Sequence, residues 1–175
     1  MTMKLTEKCS AIRLLLSDVD GVMTDGRIVF DNQGVESKQF HIRDGQGIRL
    51  WQQSGGQLGI VTGRSSQIVK LRAAELNIEI VRQGVDDKLA VVKAICKQMQ
   101  FEPEEVCYVG DDLPDLAVYG YVGLGVAVAD AAQENLQAAD YTTSFNGGHG
   151  AIREVVEFLL KNTNRWKAAI RKYQS

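Results

Sequence analysis

The chain has 175 residues, of which 45% are hydrophobic and 24% charged, and its net charge is −2. That length suits one domain with a real core, and the charge excludes a basic surface for nucleic acid or an anionic membrane. Lys4, Glu7, Lys8 and Arg13 interrupt the N-terminal region, so no signal peptide is expected, and no apolar run approaches membrane-spanning length. Cys9, Cys96 and Cys107 lack zinc-type spacing and are read as free buried thiols in a reducing, cytoplasmic setting.

Along the chain, residues 12–17 form a short apolar run ending in a polar turn, the pattern of a buried parallel strand. Residues 26–42 place Ile28, Phe30 and Phe40 around Asp31-Asn32-Gln33-Gly34 and predict a projecting β-hairpin. A helix over 47–53 precedes a strand over 58–62, and a helix over 65–75, with Ser65 and Ser66 as caps, precedes a strand over 78–81. Then come a helix over 88–99, a strand over 106–109, a helix over 114–119 with Pro114 in its first turn, and a strand over 124–128. Helices over 131–138 and 151–161 follow, and 164–175 reads as a basic tail or docking helix. Alternating strands and helices predict an α/β fold, a doubly wound (Rossmann-like) parallel sheet with the hairpin projecting from it, in a single domain spanning 1–175. About forty residues separate Asp20 from Thr62, too few for a separate cap domain.

In a doubly wound sheet, ligands bind outside the carboxyl ends of the strands, and the polar signals of this chain fall there. The first strand ends in Asp18-Val19-Asp20-Gly21 and the second in Thr62-Gly63-Arg64; Lys88 opens a helix, and the fourth strand ends in Gly110-Asp111-Asp112, followed by Asp115. Clustered carboxylates need a cation, and oxygen-only ligands favour magnesium. A phosphate ester brings further negative charge, which Lys88, the Thr62 hydroxyl and backbone N–H groups can offset. An Asp carboxylate can attack phosphorus in line, and a second one two residues later can protonate the leaving oxygen and then deprotonate water. Asp18 is thereby assigned as nucleophile and Asp20 as acid/base. Each residue also has a plainer reading. Thr62 can cap a helix, Lys88 can be a solvated helix charge, and Asp111, Asp112 and Asp115 can cap the helix at Pro114. Arg64 and Arg72 fall on one helix face, which alone would be an ordinary charged surface.

Asp18-x-Asp20-Gly-Val-x-Thr-Asp, Thr62-Gly-Arg, Lys88 and Gly110-Asp-Asp-x-x-Asp115 resemble the four ordered motifs of the haloacid dehalogenase superfamily. Within it the chain, from about Ile12 to Phe158, is similar to the small phosphatases acting on 3-deoxy-D-manno-octulosonate 8-phosphate. The supporting stretches are Phe40-His41-Ile42-Arg43-Asp44-Gly45, Gln83-Gly84-Val85-Asp86-Asp87-Lys88, Val126-Ala127-Val128-Ala129-Asp130-Ala131 and Gly147-Gly148-His149-Gly150-Ala151-Ile152-Arg153-Glu154. The resemblance implies magnesium on Asp18, the Asp20 backbone carbonyl and Asp111, with Asp115 behind them. It implies contacts to a phosphorylated sugar acid from Asp20, His41, Ile42, Arg43, Asp44, Gly45, Arg49, Gly63, Arg64, Arg72 and Lys88. It departs from the family where His149 stands between the glycines, a place usually held by Arg or Lys.

A signalling receiver is the main rival from another class, but its phosphorylated Asp would end a middle strand, where this chain has Val61-Thr62-Gly63. A non-catalytic binding module is a second rival, opposed by intact Asp18 and Asp20. A phosphatase for a nonulosonate 9-phosphate is the nearest enzymatic alternative, opposed by Arg64. Ile28, Phe30 and Phe40 on a free hairpin would form an unusual apolar patch, and the site would lack a cover. Hairpins of several subunits packed together would meet both needs, and the resemblance likewise implies a homotetramer.

Overall fold

The computed structural model describes residues 4–174; the ends of the expected 1–175 domain, including Ser175 of the expected tail, lie outside the described residues. Helix α1 (Leu5–Ala11) leads into strand β1 (Leu14–Ser17), which is buried along its whole length. Leu15 points into one apolar core while Leu14 and Leu16 point into another, because successive side chains of a strand face opposite sides. A strand covered on both faces reads as a continuous apolar run, which is why it was visible in the sequence.

The hairpin strands β2 (Val29–Phe30) and β3 (Glu36–Ser37) form a separate antiparallel pair. Its turn is set by Asp31, whose Oδ1 accepts from the N–H of Gln33 at 2.8 Å and of Val35 at 2.9 Å. Next come α2 (Ile42–Gln53), β4 (Gln57–Val61), α3 (Gln67–Glu75), β5 (Ile80–Arg82) and α4 (Lys88–Met99). After β6 (Val106–Gly110), a 3-10 turn at Leu113–Asp115 runs into α5 (Leu116–Tyr119). The chain continues through β7 (Leu124–Ala127), α6 (Gln133–Ala138), β8 (Tyr141–Thr142), α7 (Ala151–Asn162) and α8 (Trp166–Ile170).

The main sheet is six-stranded and parallel in every pairing, ordered β5-β4-β1-β6-β7-β8. Residues of α1, α2, α3 and α7 cover one face and those of α4 and α5 the other, so the sheet is doubly wound, as expected. Cys9, Cys96 and Cys107 are free and buried.

Several boundaries differ from expectation. Helix α2 begins at Ile42, so the hairpin segment ends earlier than residue 42. Ser65 is not a cap, and Ser66 occupies the position before α3 without capping it, because its hydroxyl goes to Glu36 Oε2 at 3.0 Å instead. Phe40 is not part of the exposed patch. It packs on the core, with the Arg72 guanidinium 5.7 Å from its ring centre. The expected tail forms α8 and a 3-10 turn at Arg171–Tyr173, and Trp166 and Ala169 pack against the core.

Candidate active site

β1 carries Asp18 to the carboxyl end of an interior strand of the sheet, where its N–H still bonds Val109 of β6 at 3.0 Å. The chain then turns, with the N–H groups of Val22, Met23 and Thr24 converging on the Val19 carbonyl. Gly21 sits at φ +92° inside this turn, and a Cβ there would overlap the Asp111 carboxylate, so the position requires glycine. Gly147 closes on the same turn from the other side, since a Cβ on it would strike the Gly21 carbonyl.

Asp18 is 7% exposed. Its Oδ1 accepts from the Val19 N–H and its Oδ2 from Lys88 Nζ, each at 2.6 Å. Lys88 stands in the first turn of α4, where a cation opposes the helix dipole, and two carboxylates offset that cost. The second is Asp115, fully buried, whose Oδ1 accepts from Lys88 and from the Tyr108 hydroxyl at 2.6 Å each. Asp115 Oδ2 accepts from the backbone of Asp111 at 3.0 Å and of Asp112 at 3.3 Å. Asp115 therefore fixes both Lys88 and the loop bearing Asp111. Asp112 is exposed and caps the following turn through the Leu113 N–H at 2.8 Å.

Carboxyl oxygens of Asp18, Asp111 and Asp115 come within 4.8 Å of one another. Lys88 supplies one positive charge against three potential negative ones. Burial, then the charges of Asp18 and Asp115, push the Asp111 carboxyl up to about 8. Burial also raises Asp18 above its usual range, with Lys88 pulling the other way and Asp115 adding to the rise. Burial works against charge on Lys88, but Asp18 and Asp115 more than reverse it, so the ammonium stays charged. Asp111 Oδ1 is buried without a hydrogen-bond partner. Surplus carboxylate charge, an unsatisfied oxygen and an all-oxygen donor set fit a small hard cation such as magnesium.

A pH dependence follows. The unfolded Asp111 carboxyl titrates near about 4, and the folded metal-free one near about 8, so the folded state binds more protons between these values. Its contribution to metal-free stability is complete below about pH 4 and is lost as pH rises toward about 8. Magnesium must displace that proton, so a fixed magnesium concentration is expected to raise Tm more at about pH 8.5 than at about pH 6. Equal shifts in thermal melts at both pH values would contradict this.

Asp20, the other expected catalytic carboxylate, lies in a second network. Lys38 Nζ pairs with its Oδ1, and Arg64 Nε stands 3.8 Å from its Oδ2. Glu36 takes Arg64 Nη2 at 2.6 Å and Lys38 at 3.6 Å on Oε1. Although burial would raise it, the Ser66 hydroxyl, Lys38 and Arg64 hold the Glu36 carboxyl below its ordinary range. Arg64 therefore meets the hairpin of its own chain.

Thr62 is 2% exposed at the end of β4, with its N–H on the Arg82 carbonyl and its own carbonyl accepting from Val85; Gly63 follows it. Arg72 on α3 pairs with Glu75 at 2.7 Å and passes so close to Gly45 that a Cβ there would meet its guanidinium. His41 caps α2, its Nδ1 accepting from the Arg43 N–H at 3.3 Å. Asp44 is buried and its Oδ1 accepts from the Arg153 N–H at 2.8 Å, which ties α2 to α7. Ile42, Arg43 and Arg49 are exposed on α2, and among the described residues no recorded hydrogen bond or ion pair joins their side chains to Asp18. Arg43 and His149 line a cavity of about 360 Å³ with Phe145, Arg153 and Glu154. Sequence reasoning missed Glu36, Lys38 and Tyr108. The signal for the first two was the alternation of inward positions 36, 38 and 40 along an extended segment.

A doubly wound sheet with paired aspartates closing an interior strand, a lysine bridging to a second acidic loop and a metal-competent cluster defines a class of hydrolase. A family model described as haloacid dehalogenase-like hydrolase matches residues 67–155. Two curated relatives are named 3-deoxy-D-manno-octulosonate 8-phosphate phosphatase KdsC. That of Yersinia pestis is 44% identical over 93% of this chain and 87% of its own. That of Escherichia coli K12 is 46% identical over 87% and 81%. A crystal structure of the phosphatase of that name from Moraxella catarrhalis, in complex with magnesium ion, phosphate ion and a KDO molecule, superposes with a TM-score of 0.94. It is 40% identical and covers 96% of this chain and 97% of that one. The chain belongs to the 3-deoxy-D-manno-octulosonate 8-phosphate phosphatase family of haloacid dehalogenase-like hydrolases.

Proposed function

We propose that this chain is one phosphatase domain that hydrolyses 3-deoxy-D-manno-octulosonate 8-phosphate to the free sugar acid and phosphate, in the cytoplasm, through an aspartyl-phosphate on Asp18. The observation that carries this reading is the bond between Asp18 and Lys88 beside Asp111, at the end of an interior strand. Asp18, the Asp20 carbonyl and Asp111 would hold a magnesium ion, which when bound neutralises charge on the phosphate oxygens.

An Asp18 carboxylate oxygen attacks phosphorus in line, and the bond from phosphorus to the sugar oxygen breaks. Asp20 gives that oxygen a proton. Water then attacks phosphorus, Asp20 takes its proton, and Asp18 is released. Lys88, the Thr62 hydroxyl and the Gly63 N–H offset charge on the phosphoryl oxygens. His41 through Gly45, Arg49, Arg64 and Arg72 are the proposed contacts for the sugar acid. A guanidinium matches a carboxylate in a two-pronged fork, so Arg64 exchanges Glu36 for the substrate carboxylate.

The test is phosphate release from octulosonate 8-phosphate, a nonulosonate 9-phosphate and glucose 6-phosphate, with and without magnesium. The octulosonate ester is expected to lead in kcat/KM by at least about a hundredfold, and Arg64→Ala to erase most of that lead. Equal rates for acidic and neutral sugar phosphates would remove the substrate assignment and leave a phosphatase.

Assembly into a homotetramer through the hairpins belongs to the same proposal. Ile28, Val29, Phe30 and Val35 are 48–59% exposed on the hairpin, an apolar patch that a partner would cover. Phe30→Ser with Val35→Ser is expected to lower the oligomeric state and activity together in light scattering and assay. A parent protein that is monomeric and fully active would refute this.

A further inference from the structure

We propose that Lys38, braced by Glu36, is a positioning residue for the proton-transfer step, holding Asp20 by Oδ1 so that Oδ2 serves the leaving group. This rests on the acid/base role given to Asp20 above.

The Lys38 side chain is 1% exposed, so it is closed off from solvent. A buried ammonium is costly unless paired, and Lys38 is paired twice, with Asp20 and with Glu36. Glu36 and Lys38 stand two residues apart on one face of an extended segment, which presents both from the end of β3. Asp20, Glu36, Lys38 and Arg64 are two acids and two bases, whose formal charges cancel. This network is thus unlike the carboxylate-rich cluster around Asp111, and it has no surplus charge for a cation to neutralise.

The hydrogen bonds to Asp20 are unevenly shared. Both Lys38 Nζ and the Thr24 hydroxyl donate to Oδ1, the latter at 3.4 Å. Oδ2 is buried and accepts none. Arg64 Nε, 3.8 Å from it, is too distant for a hydrogen bond. Oδ2 thus has no protein donor to give up before it exchanges a proton with the leaving group or water. Without Lys38, the nearest cation to Asp20 is Arg64, and the carboxylate would turn toward it and away from the leaving oxygen. A displacement of about 1 Å at a reacting group can cost about a hundredfold.

Lys38→Met keeps the buried stem and removes the charge. A sugar alkoxide needs a proton as it leaves, whereas nitrophenolate does not, so the two substrate types separate positioning from general damage. The variant is expected to lose about a hundredfold in kcat/KM on octulosonate 8-phosphate and less than about tenfold on 4-nitrophenyl phosphate. In an Asp20→Asn background, Lys38→Met is expected to add less than about threefold, because the two act as a unit. A crystal structure of the variant is expected to show the Asp20 carboxylate turned onto Arg64. Equal losses on both substrates, full additivity with Asp20→Asn, or an unmoved carboxylate would overturn the proposal. Should Lys38→Met fail to fold, Glu36→Gln loosens the same lysine, and the same leaving-group dependence decides. If the parent ignores octulosonate 8-phosphate, the substrate reading fails, and any alkyl phosphate it does hydrolyse supplies the same comparison for Lys38.

Discussion

Asp18→Asn is expected to lower phosphate release by about ten-thousandfold or more, at any magnesium concentration, while the protein stays folded. An amide neither attacks phosphorus nor carries the negative charge expected of a metal ligand. The loss is distinct from unfolding, because Asp18 is one of three carboxylates crowded within 4.8 Å. Removing its charge relieves repulsion on Asp111 and leaves Lys88 with Asp115 as its partner. Metal-free thermal stability of Asp18→Asn is therefore expected to match or exceed that of the parent. Appreciable turnover by this variant would sink the mechanism, and a large fall in Tm would sink the electrostatic reading of the site.

Lys88→Met should fail in both respects. Lys88 is 5% exposed and bonds Asp18 and Asp115 at 2.6 Å each. Removing one partner of a buried ion pair strands the other, at a cost of about 3 kcal/mol or more. Protonation of the stranded carboxyls relieves that cost, so the destabilisation is expected to be larger at about pH 8 than at about pH 5. Activity is expected to fall by about a thousandfold, since a fixed charged donor is lost where charge develops on phosphorus. Melts and assays across pH check both, and a stable, active Lys88→Met would contradict them.

The sheet was legible in the sequence because its central strands are buried on both faces, which turns stretches such as Leu14 to Leu16 into uninterrupted apolar runs. The polar ends of those strands were equally legible, since Asp18, Thr62 and Asp111 interrupt apolar runs abruptly. Strand β8 was not, because two residues pairing with Val126 and Ala127 leave no periodicity to read. The helix was expected to open at Gly47, and its first turn from Ile42 was hidden by Gly45, which looks like a helix breaker. Gly45 and Gly47 are glycines because Arg72 and the Arg153 segment of α7 pass too close for a Cβ.

Phe40 was misplaced for a related reason. An aromatic residue in a hairpin segment reads as part of its surface, yet the alternation that turns Glu36 and Lys38 inward also turns Phe40 onto the core. Charged residues at inward positions are invisible to a reading that assigns polar residues to solvent. Lys38 reaches Asp20 only because the fold brings Asp20 back against the hairpin segment.

Acid quenching during turnover of octulosonate 8-phosphate with magnesium, followed by peptide mass spectrometry, is the most direct measurement of how this site works. One phosphoryl group on the peptide containing Asp18, absent from Asp18→Asn, is the expected result. Steady turnover with no phosphorylated peptide, or with the phosphoryl group on Asp111 or another residue, would contradict nucleophilic catalysis by Asp18.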